Sequence, residues 1–257
     1  KLKNFAFIGA GNYASKILLP YFSKNQVNIK YIASLNGENA QTLCKKYKVN
    51  YNTTNIDKVL SDVSTNNVVI STRHDSHSEL VCKSLDNDKH VFVEKPLAIT
   101  LKELEGIKKS FNKSKGSLMV GFNRRFSPIS IKIKELLRNS NSPLAININV
   151  NSGSIDGDHW ISDKNISGGR LIGEGVHFLD YIQFLLSSKV ESFSVSSMEN
   201  SFHDTFSINL KYADGSIATL NYFSNGNPQF PKEKIEIFTE GKVLINDNFR
   251  SLKGYGF

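Results

Sequence analysis

Residues 4–19 constrain the fold more than any other stretch. Phe5-Ala6-Phe7-Ile8 is a short apolar run of strand type, and it leads directly into Gly9-Ala10-Gly11-Asn12-Tyr13-Ala14 and the apolar-periodic Ile17-Leu18-Leu19. Strand, glycine turn and helix at the spacing G-x-G-x-x-A form a βα turn that can take a pyrophosphate at the helix N-terminus. Gly9 permits the tight turn, Gly11 lets the backbone approach the phosphates, and Ala14 allows close packing of helix on strand. Asn12 and Tyr13 lie in the same turn and join the candidate dinucleotide contacts. Many glycine turns open helices with no ligand, so the weight of this one depends on the elements downstream of it.

Those elements alternate regularly. Residues 28–33 read as a second strand, completing a βαβ unit. NAD-specific enzymes place an acid at its end to hold the ribose hydroxyls. Here the residues are Ser34-Leu35-Asn36. No carboxylate repels a 2′-phosphate and no nearby Arg welcomes one, so NAD and NADP both stay open, with Ser34 as the candidate contact. Helical patterns at 38–48 and 56–60, a buried strand at 68–70 and a helix at 79–85 come next. Thr100 with Glu103 is a capping box opening another helix, and 118–122 is a further strand. The pattern predicts a doubly wound parallel sheet, an N-terminal Rossmann domain over residues 1–122. The loop Ser71-Thr72-Arg73-His74-Asp75-Ser76-His77 could suggest a metal site. Without a further ligand cluster nearby, a strand-end loop receiving a cofactor explains it better.

The strand at 90–93 ends in Glu94-Lys95-Pro96. Pro96 has no N–H to donate and ends the pairing, leaving a carboxylate and an ammonium at the strand's carboxyl end, the edge where open α/β sheets bind ligands. An ordinary strand-ending salt bridge looks the same in isolation.

The formal charge of +8 invites a nucleic-acid reading, yet only six of the 32 basic residues are Arg and the lysines are scattered. A lysine-rich solvated surface accounts for that balance, and no nucleic-acid partner is expected. No apolar run reaches membrane-spanning length, so no membrane partner is expected either. Cys44 and Cys82 lack metal-ligand spacing and suit free thiols in a reducing cytoplasm.

Together these residues resemble the glucose–fructose oxidoreductase, inositol dehydrogenase and rhizopine-catabolism family (Gfo/Idh/MocA). The matching pieces are the Gly9–Ala14 turn, Thr72 with His77, Glu94-Lys95-Pro96, Gly121-Phe122-Asn123-Arg124-Arg125-Phe126, and Gly168-Gly169-Arg170-Leu171-Ile172-Gly173-Glu174-Gly175-Val176-His177-Phe178-Leu179-Asp180. The chain looks most like the branch fused behind a zinc-type alcohol dehydrogenase-like domain in bacterial polysaccharide gene clusters. Its opening on a strand at Lys1 suits a chain whose preceding domain is absent, and its stop after a strand pair leaves the family's closing helix outside it. The resemblance implies an NAD(P)-dependent oxidoreductase acting on a sugar-like substrate. Thr72, His74, His77, Glu94, Lys95 and Asn123 join the cofactor contacts, and Lys95 and His177 are the catalytic pair. One departure stands out: the family's Asp four residues before the catalytic His is Gly173 here. Glu174 lies three before His177, and two readings of it stay open: it reaches the histidine along the helix face and takes the catalytic place of the Asp, or it only caps the helix start.

The second half is expected to form an α+β domain over 123–257 with a mainly antiparallel sheet, completing an α/β chain of two domains. A helix at 128–138 and an alternating strand at 144–151 precede the polar stretch 152–167, which holds the sole tryptophan, Trp160. A helix at 172–186 places Glu174, His177 and Tyr181 on one stripe, with Asp180 a turn beyond the histidine. Arg125, Trp160, Asp180 and Tyr181 are the candidate substrate contacts. Strands at 193–198, 206–212, 217–223, 234–239 and 243–246 complete the chain, with Asp214-Gly215 and Glu240-Gly241 as tight turns. One face of their sheet offers itself to a second copy of the chain. A regulatory or interaction module that binds a dinucleotide without chemistry is the alternative reading.

Overall fold

In the computed structural model, six short strands form one parallel sheet: β1 (Asn4–Ile8), β2 (Ile29–Ala33), β3 (Tyr51–Thr53), β4 (Thr65–Ile70), β5 (His90–Val93) and β6 (Leu118–Val120), in the order β3-β2-β1-β4-β5-β6. Every neighbouring pair is parallel. The order reverses between β1 and β4, which is the switch point of a doubly wound sheet. The structure describes residues 4–138, 140, 142–155, 157–199 and 204–257. Lys1, on which the expectation of a missing earlier domain rests, lies outside them. The chain divides into two compact units, Lys1–Gly121 with Asn165–Gly168, and Phe122–Lys164 with Gly169–Phe257. The segment 165–168 therefore belongs with the first unit.

The inner strands are buried on both faces, as their continuous apolar runs require: Ala6, Ile8, Val68, Ile70, Val91 and Val93 form one core cluster, and Phe7, Ile32 and Val69 help form another. The helices start where their caps are. Asn36 accepts from the N–H groups of Glu38 and Asn39 to open Gly37–Tyr47. Thr100 and Glu103 make the reciprocal capping box of Leu101–Lys113, with Glu103 Oε2 also accepting from Ile99 N at 2.8 Å. Strand β3 has no apolar run of its own, and sequence periodicity does not reveal it.

In the second unit seven strands, β7 (Ala145–Asn151), β8 (Val190–Ser197), β9 (Phe206–Tyr212), β10 (Ile217–Phe223), β11 (Glu233–Thr239), β12 (Lys242–Asp247) and β13 (Ser251–Tyr255), form a sheet in the order β13-β12-β11-β7-β10-β9-β8. All its pairs are antiparallel except β7 with β10. Period-two alternation turns Ile146, Ile148, Val150, Leu220 and Tyr222 to one face. There they pack with Ile133 of the helix Pro128–Leu137 and with Phe178, Tyr181, Ile182 and Leu185 of the helix Val176–Leu186. That last helix starts later than the periodicity predicts, because Leu171–Gly175 forms a wider helical turn ahead of it. Among the described residues, no helix is long and apolar enough to cross a membrane.

Candidate functional site

The strand ends Ile8, Ile70, Val93 and Val120 stand in register. The residues directly after them, Gly9, Ser71, Glu94 and Gly121, therefore line up across the carboxyl edge of the parallel sheet. Ser71 N donates to Ile8 O at 2.9 Å, Glu94 N to Ile70 O at 2.9 Å and Gly121 N to Val93 O at 2.8 Å.

The two glycines of the first turn differ in kind. Gly9 has φ +109°, and a Cβ there would lie 2.6 Å from Ser71 O, so packing against the neighbouring strand end alone demands glycine. At Gly11 a Cβ would meet nothing within 4 Å. Among the described residues no neighbour requires Gly11 to be bare, and the open space before it suits the close approach of a pyrophosphate. Ala14 is fully buried, as the helix–strand packing predicts, while Gly11 and Asn12 are exposed and Tyr13 is half-buried. Ser34, half-buried after β2, donates its N–H to Thr53 O at 3.1 Å. Asn36 is committed to capping.

The loop after β4 is held from within. Ser76 Oγ donates to Thr72 Oγ1 at 2.7 Å. His77 is fully buried, with Nδ1 2.7 Å from Pro96 O and Nε2 3.2 Å from Thr72 O. Burial lowers its pKa against the pull of both carbonyls. His77, expected as a cofactor contact, ties the loop to the Lys95–Pro96 segment through Pro96 O. His74 is half-buried, with Nδ1 2.9 Å from Ser167 O, and its pKa is pushed down to about 4, chiefly by burial and further by the charge on Lys95. Lys95 is half-buried, and the Lys95–Pro96 peptide is cis. Burial pushes the Glu94 carboxyl up to about 7, opposed by the charge on Lys95 and by its backbone N–H.

The second unit carries the remaining candidates. A short helical turn at Asn123–Phe126 leaves Asn123 exposed. Arg124 clamps Glu233 with two bonds, Nε to Oε2 at 3.2 Å and Nη2 to Oε1 at 2.5 Å, while its guanidinium lies 4.5 Å from the Phe178 ring centroid. Arg125 grips Asp180 in the same two-pronged way, with Nε 2.7 Å from Oδ2 and Nη2 on Oδ1. Arg125 and Asp180, both expected at a substrate, are bonded to each other. Tyr181 is another correction: it is fully buried in the core, 5.4 Å from the Phe249 ring, with Ser130 Oγ donating to its hydroxyl at 3.3 Å. Trp160 is half-buried in a three-residue turn beside the His159 ring. His177 is buried at the start of its helix, edge-on to Phe122 at 6.2 Å.

Glu174 does not reach His177. Its Oε2 accepts from the Tyr222 hydroxyl at 2.5 Å and pairs with Arg170 Nη2 at 3.3 Å, and its Oε1 takes Lys232 at 2.8 Å. The wide turn departs from the regular 3.6-residue pitch on which the expected three-residue alignment depends. Burial would raise the Glu174 pKa, but Lys232, Tyr222 and Arg170 together outweigh it and hold the carboxyl below its usual range. The network is braced by Phe206, whose ring stacks on Tyr222 at 5.0 Å, and by Gly175, where a Cβ would come within 3.3 Å of the Phe206 ring. Sequence reasoning quotes Gly121, Arg124 and Arg170 only inside family-like runs, with no role for any of them, and does not single out Tyr222 or Glu233. Of their contacts only Arg170 with Glu174, four residues apart, carries a local signal.

Residues 3–122 match the family model described as "Oxidoreductase family, NAD-binding Rossmann fold", and residues 140–244 match "GFO/IDH/MocA C-terminal domain". The uncharacterized oxidoreductase YrbE of Bacillus subtilis (strain 168) is 23% identical over 251 residues, covering 95% of this chain and 73% of its own length. Myo-inositol 2-dehydrogenase of Thermotoga maritima is 25% identical over 203 residues, covering 75% of this chain and 60% of its own. The chain thus spans only part of either relative. Among solved structures, levoglucosan dehydrogenase in complex with NADH and L-sorbose has a TM-score of 0.87 at 18% identity, covering 98% of this chain and 75% of that one, a likeness of fold.

Proposed function

The chain belongs to the Gfo/Idh/MocA oxidoreductase family, and from that premise we propose that it is an NAD(P)-dependent dehydrogenase acting on the hydroxyl or keto carbon of a sugar or nucleotide sugar. The observation that carries this reading is the carboxyl edge of the parallel sheet. There Glu94 and Lys95 succeed the strand next to the switch point, and the Gly9–Ala14 turn keeps open space before Gly11. Gly11 and the turn around it would hold the pyrophosphate, and Ser34 the ribose. When bound, the nicotinamide ring accepts or returns a hydride. In this reading the Lys95 ammonium donates to the reacting oxygen and polarises it. His177 takes or gives the hydroxyl proton, a role that suits a side chain whose ordinary pKa is near neutrality. His77 and Thr72 hold the loop beside Lys95.

Titration with NADH and NADPH, then absorbance assays over a panel of sugars and nucleotide sugars, tests the reading. Lys95→Ala and His177→Ala should each lower turnover by roughly 10²–10⁴-fold. Near-normal turnover in both would refute these roles. Cofactor binding without turnover across the panel would favour a module without chemistry, a reading supported by Gly173 and by Glu174 being bonded away from His177.

The likeness to the branch fused behind zinc-type alcohol dehydrogenase-like domains, and with it a role in polysaccharide assembly in the cytoplasm, is part of the same proposal. So is a homo-oligomer formed through the outer face of the seven-stranded sheet. Asn221 bonds Ser207 (2.7 Å) and Asn149 (2.9 Å) there, with Ile217 and Phe238 exposed nearby. Light scattering reads the oligomeric state directly, and a monomeric mass would refute this part.

A further inference from the structure

The side chain of Glu94 owes its place to a residue that has none. Glu94 and Gly121 are neighbours across β5 and β6, and a Cβ on Gly121 would lie 2.8 Å from Glu94 Oε1 and 3.0 Å from both Cδ and Oε2. Those are the closest atoms it would meet, and all belong to the movable end of one side chain rather than to backbone. The φ of Gly121 is outside the left-handed region. Alanine at 121 is therefore compatible with the fold, and the first group it displaces is the carboxyl.

We propose that Gly121 is a positioning residue: its bare α-carbon reserves the space in which the Glu94 carboxyl lies at the strand end, and through that carboxyl it sets how strongly the site prefers the oxidised, cationic dinucleotide to the reduced one. The inference rests on the proposed reading that the nicotinamide ring binds at this edge. The charged group acting on Glu94 is Lys95, on its own strand end. His74 and His77, from the loop after β4, feel the same ammonium, and both are kept neutral by burial at physiological pH. In its reserved place the carboxyl, pushed up to about 7, ionises within the physiological range. Its ionised form adds a negative charge that attracts an oxidised nicotinamide and is indifferent to a reduced one. Moved outward to water, the same carboxyl is ionised throughout the neutral range and contributes no step.

The test is a cycle of the wild type, Gly121→Ala, Glu94→Gln and the double variant, with dissociation constants for oxidised and reduced cofactor measured by fluorescence or calorimetry between about pH 6 and 8, spanning the shifted carboxyl. Wild type should bind the oxidised form more tightly as pH rises, by roughly fivefold, with little change for the reduced form. Gly121→Ala and Glu94→Gln should each flatten that step, and Gly121→Ala should have no effect in the Glu94→Gln background, where no charge is left to displace. A wild-type step retained in Gly121→Ala, or an equal effect of that substitution in both backgrounds, would overturn the proposal. Carbon-13 NMR of the glutamate carboxyls gives a readout that needs no cofactor. The Glu94 midpoint should fall toward the ordinary carboxylate range in Gly121→Ala, and an unchanged midpoint would overturn the positioning role. If the wild type binds neither form of the cofactor, the functional reading fails, and the NMR titration still decides the role of Gly121.

Discussion

Replacing Tyr222 by Phe removes a single oxygen from a buried ionic network, which makes its cost calculable. The Tyr222 hydroxyl accepts from Arg170 Nε at 2.8 Å and donates to Glu174 Oε2 at 2.5 Å. Arg170 is 4% exposed, and its Nη1 has no hydrogen-bond partner among the described residues. Loss of the hydroxyl leaves a second N–H of the same buried guanidinium unsatisfied. A hydrogen bond to a charged group contributes about 1.5–3 kcal/mol, and leaving a buried charged donor unmet costs about as much. Some of the network survives: Glu174 keeps Lys232 at 2.8 Å and Arg170 Nη2 at 3.3 Å, and the ring keeps its stack on Phe206. The expected loss is about 3 kcal/mol, on the order of 10² in the unfolding constant.

Urea unfolding monitored by tryptophan fluorescence measures that loss, since Trp160 is the sole tryptophan and lies in the same unit. The pH dependence adds an independent check. Glu174 has a depressed pKa in the folded state, so its contribution is present above the ordinary carboxylate pKa of about 4.3 and is lost as pH falls through the folded value. The gap between wild type and Tyr222→Phe should therefore narrow on acidification below about pH 4, without closing, because the Arg170 bond to the hydroxyl does not depend on Glu174. A neutral-pH loss below about 1 kcal/mol would show that solvent or a shifted partner replaces the hydroxyl, and the reasoning would fail.

Gly9→Ala should fail to fold or lose several kcal/mol, because its backbone is left-handed and its Cβ meets backbone. Gly11→Ala should keep wild-type stability and weaken NADH binding roughly tenfold, and equal stability losses in urea would contradict the contrast. His74, held near 4 mainly by burial, should contribute stability that is complete above about pH 6.5 and lost as pH falls toward 4. The urea midpoint of His74→Gln should decline less steeply over that window, and parallel slopes would refute the assignment. Glu233→Ala strands the Arg124 guanidinium, whose side chain is 16% exposed, and should cost about 3 kcal/mol; adding Arg124→Met should recover part of it, and a double variant worse than the sum would argue against a simple pair.

The parallel sheet is legible in the sequence because its signals are local. Most of its strands are apolar runs, helix caps lie beside their helices in sequence, and Thr100 with Glu103 shows the capping box outright. Strand β3 escapes sequence reasoning because Tyr51-Asn52-Thr53 is mostly exposed, and strand β13 because Ser251–Tyr255 has no clean alternation. Site residues in the second unit are harder to read. Arg125 and Asp180 are 55 residues apart, Arg124 and Glu233 109 apart, and Tyr222 reaches Glu174 across 48. Nothing in a linear pattern separates a charged side chain that meets a ligand from one bonded to a distant strand. Tyr181 is misplaced by periodicity for a related reason. The helical repeat puts it on a stripe with His177, but Tyr181 itself packs in the core with Phe178, Ile182 and Leu185.

The substitution pattern around residue 173 arises from the same network. The family resemblance calls for an Asp there, with Glu174 as its natural replacement moved by one position. The structure ties Glu174 to a different need. Arg170 is almost wholly buried, and a buried guanidinium without an anion is costly, so a carboxylate must stand within reach of it. Glu174 meets that need from one turn away, with Tyr222 bridging the two. An acid at 174 is thus explained by Arg170 before any catalytic duty is assigned to it, and the two residues form a coupled pair. In a dehydrogenase built this way, the ammonium of Lys95 and the imidazole of His177 would have to supply the proton chemistry without help from Glu174. The loop packing that fixes Lys95, His77 on Pro96 and Thr72 above all, then becomes as consequential for the reaction as any residue on the helix of His177.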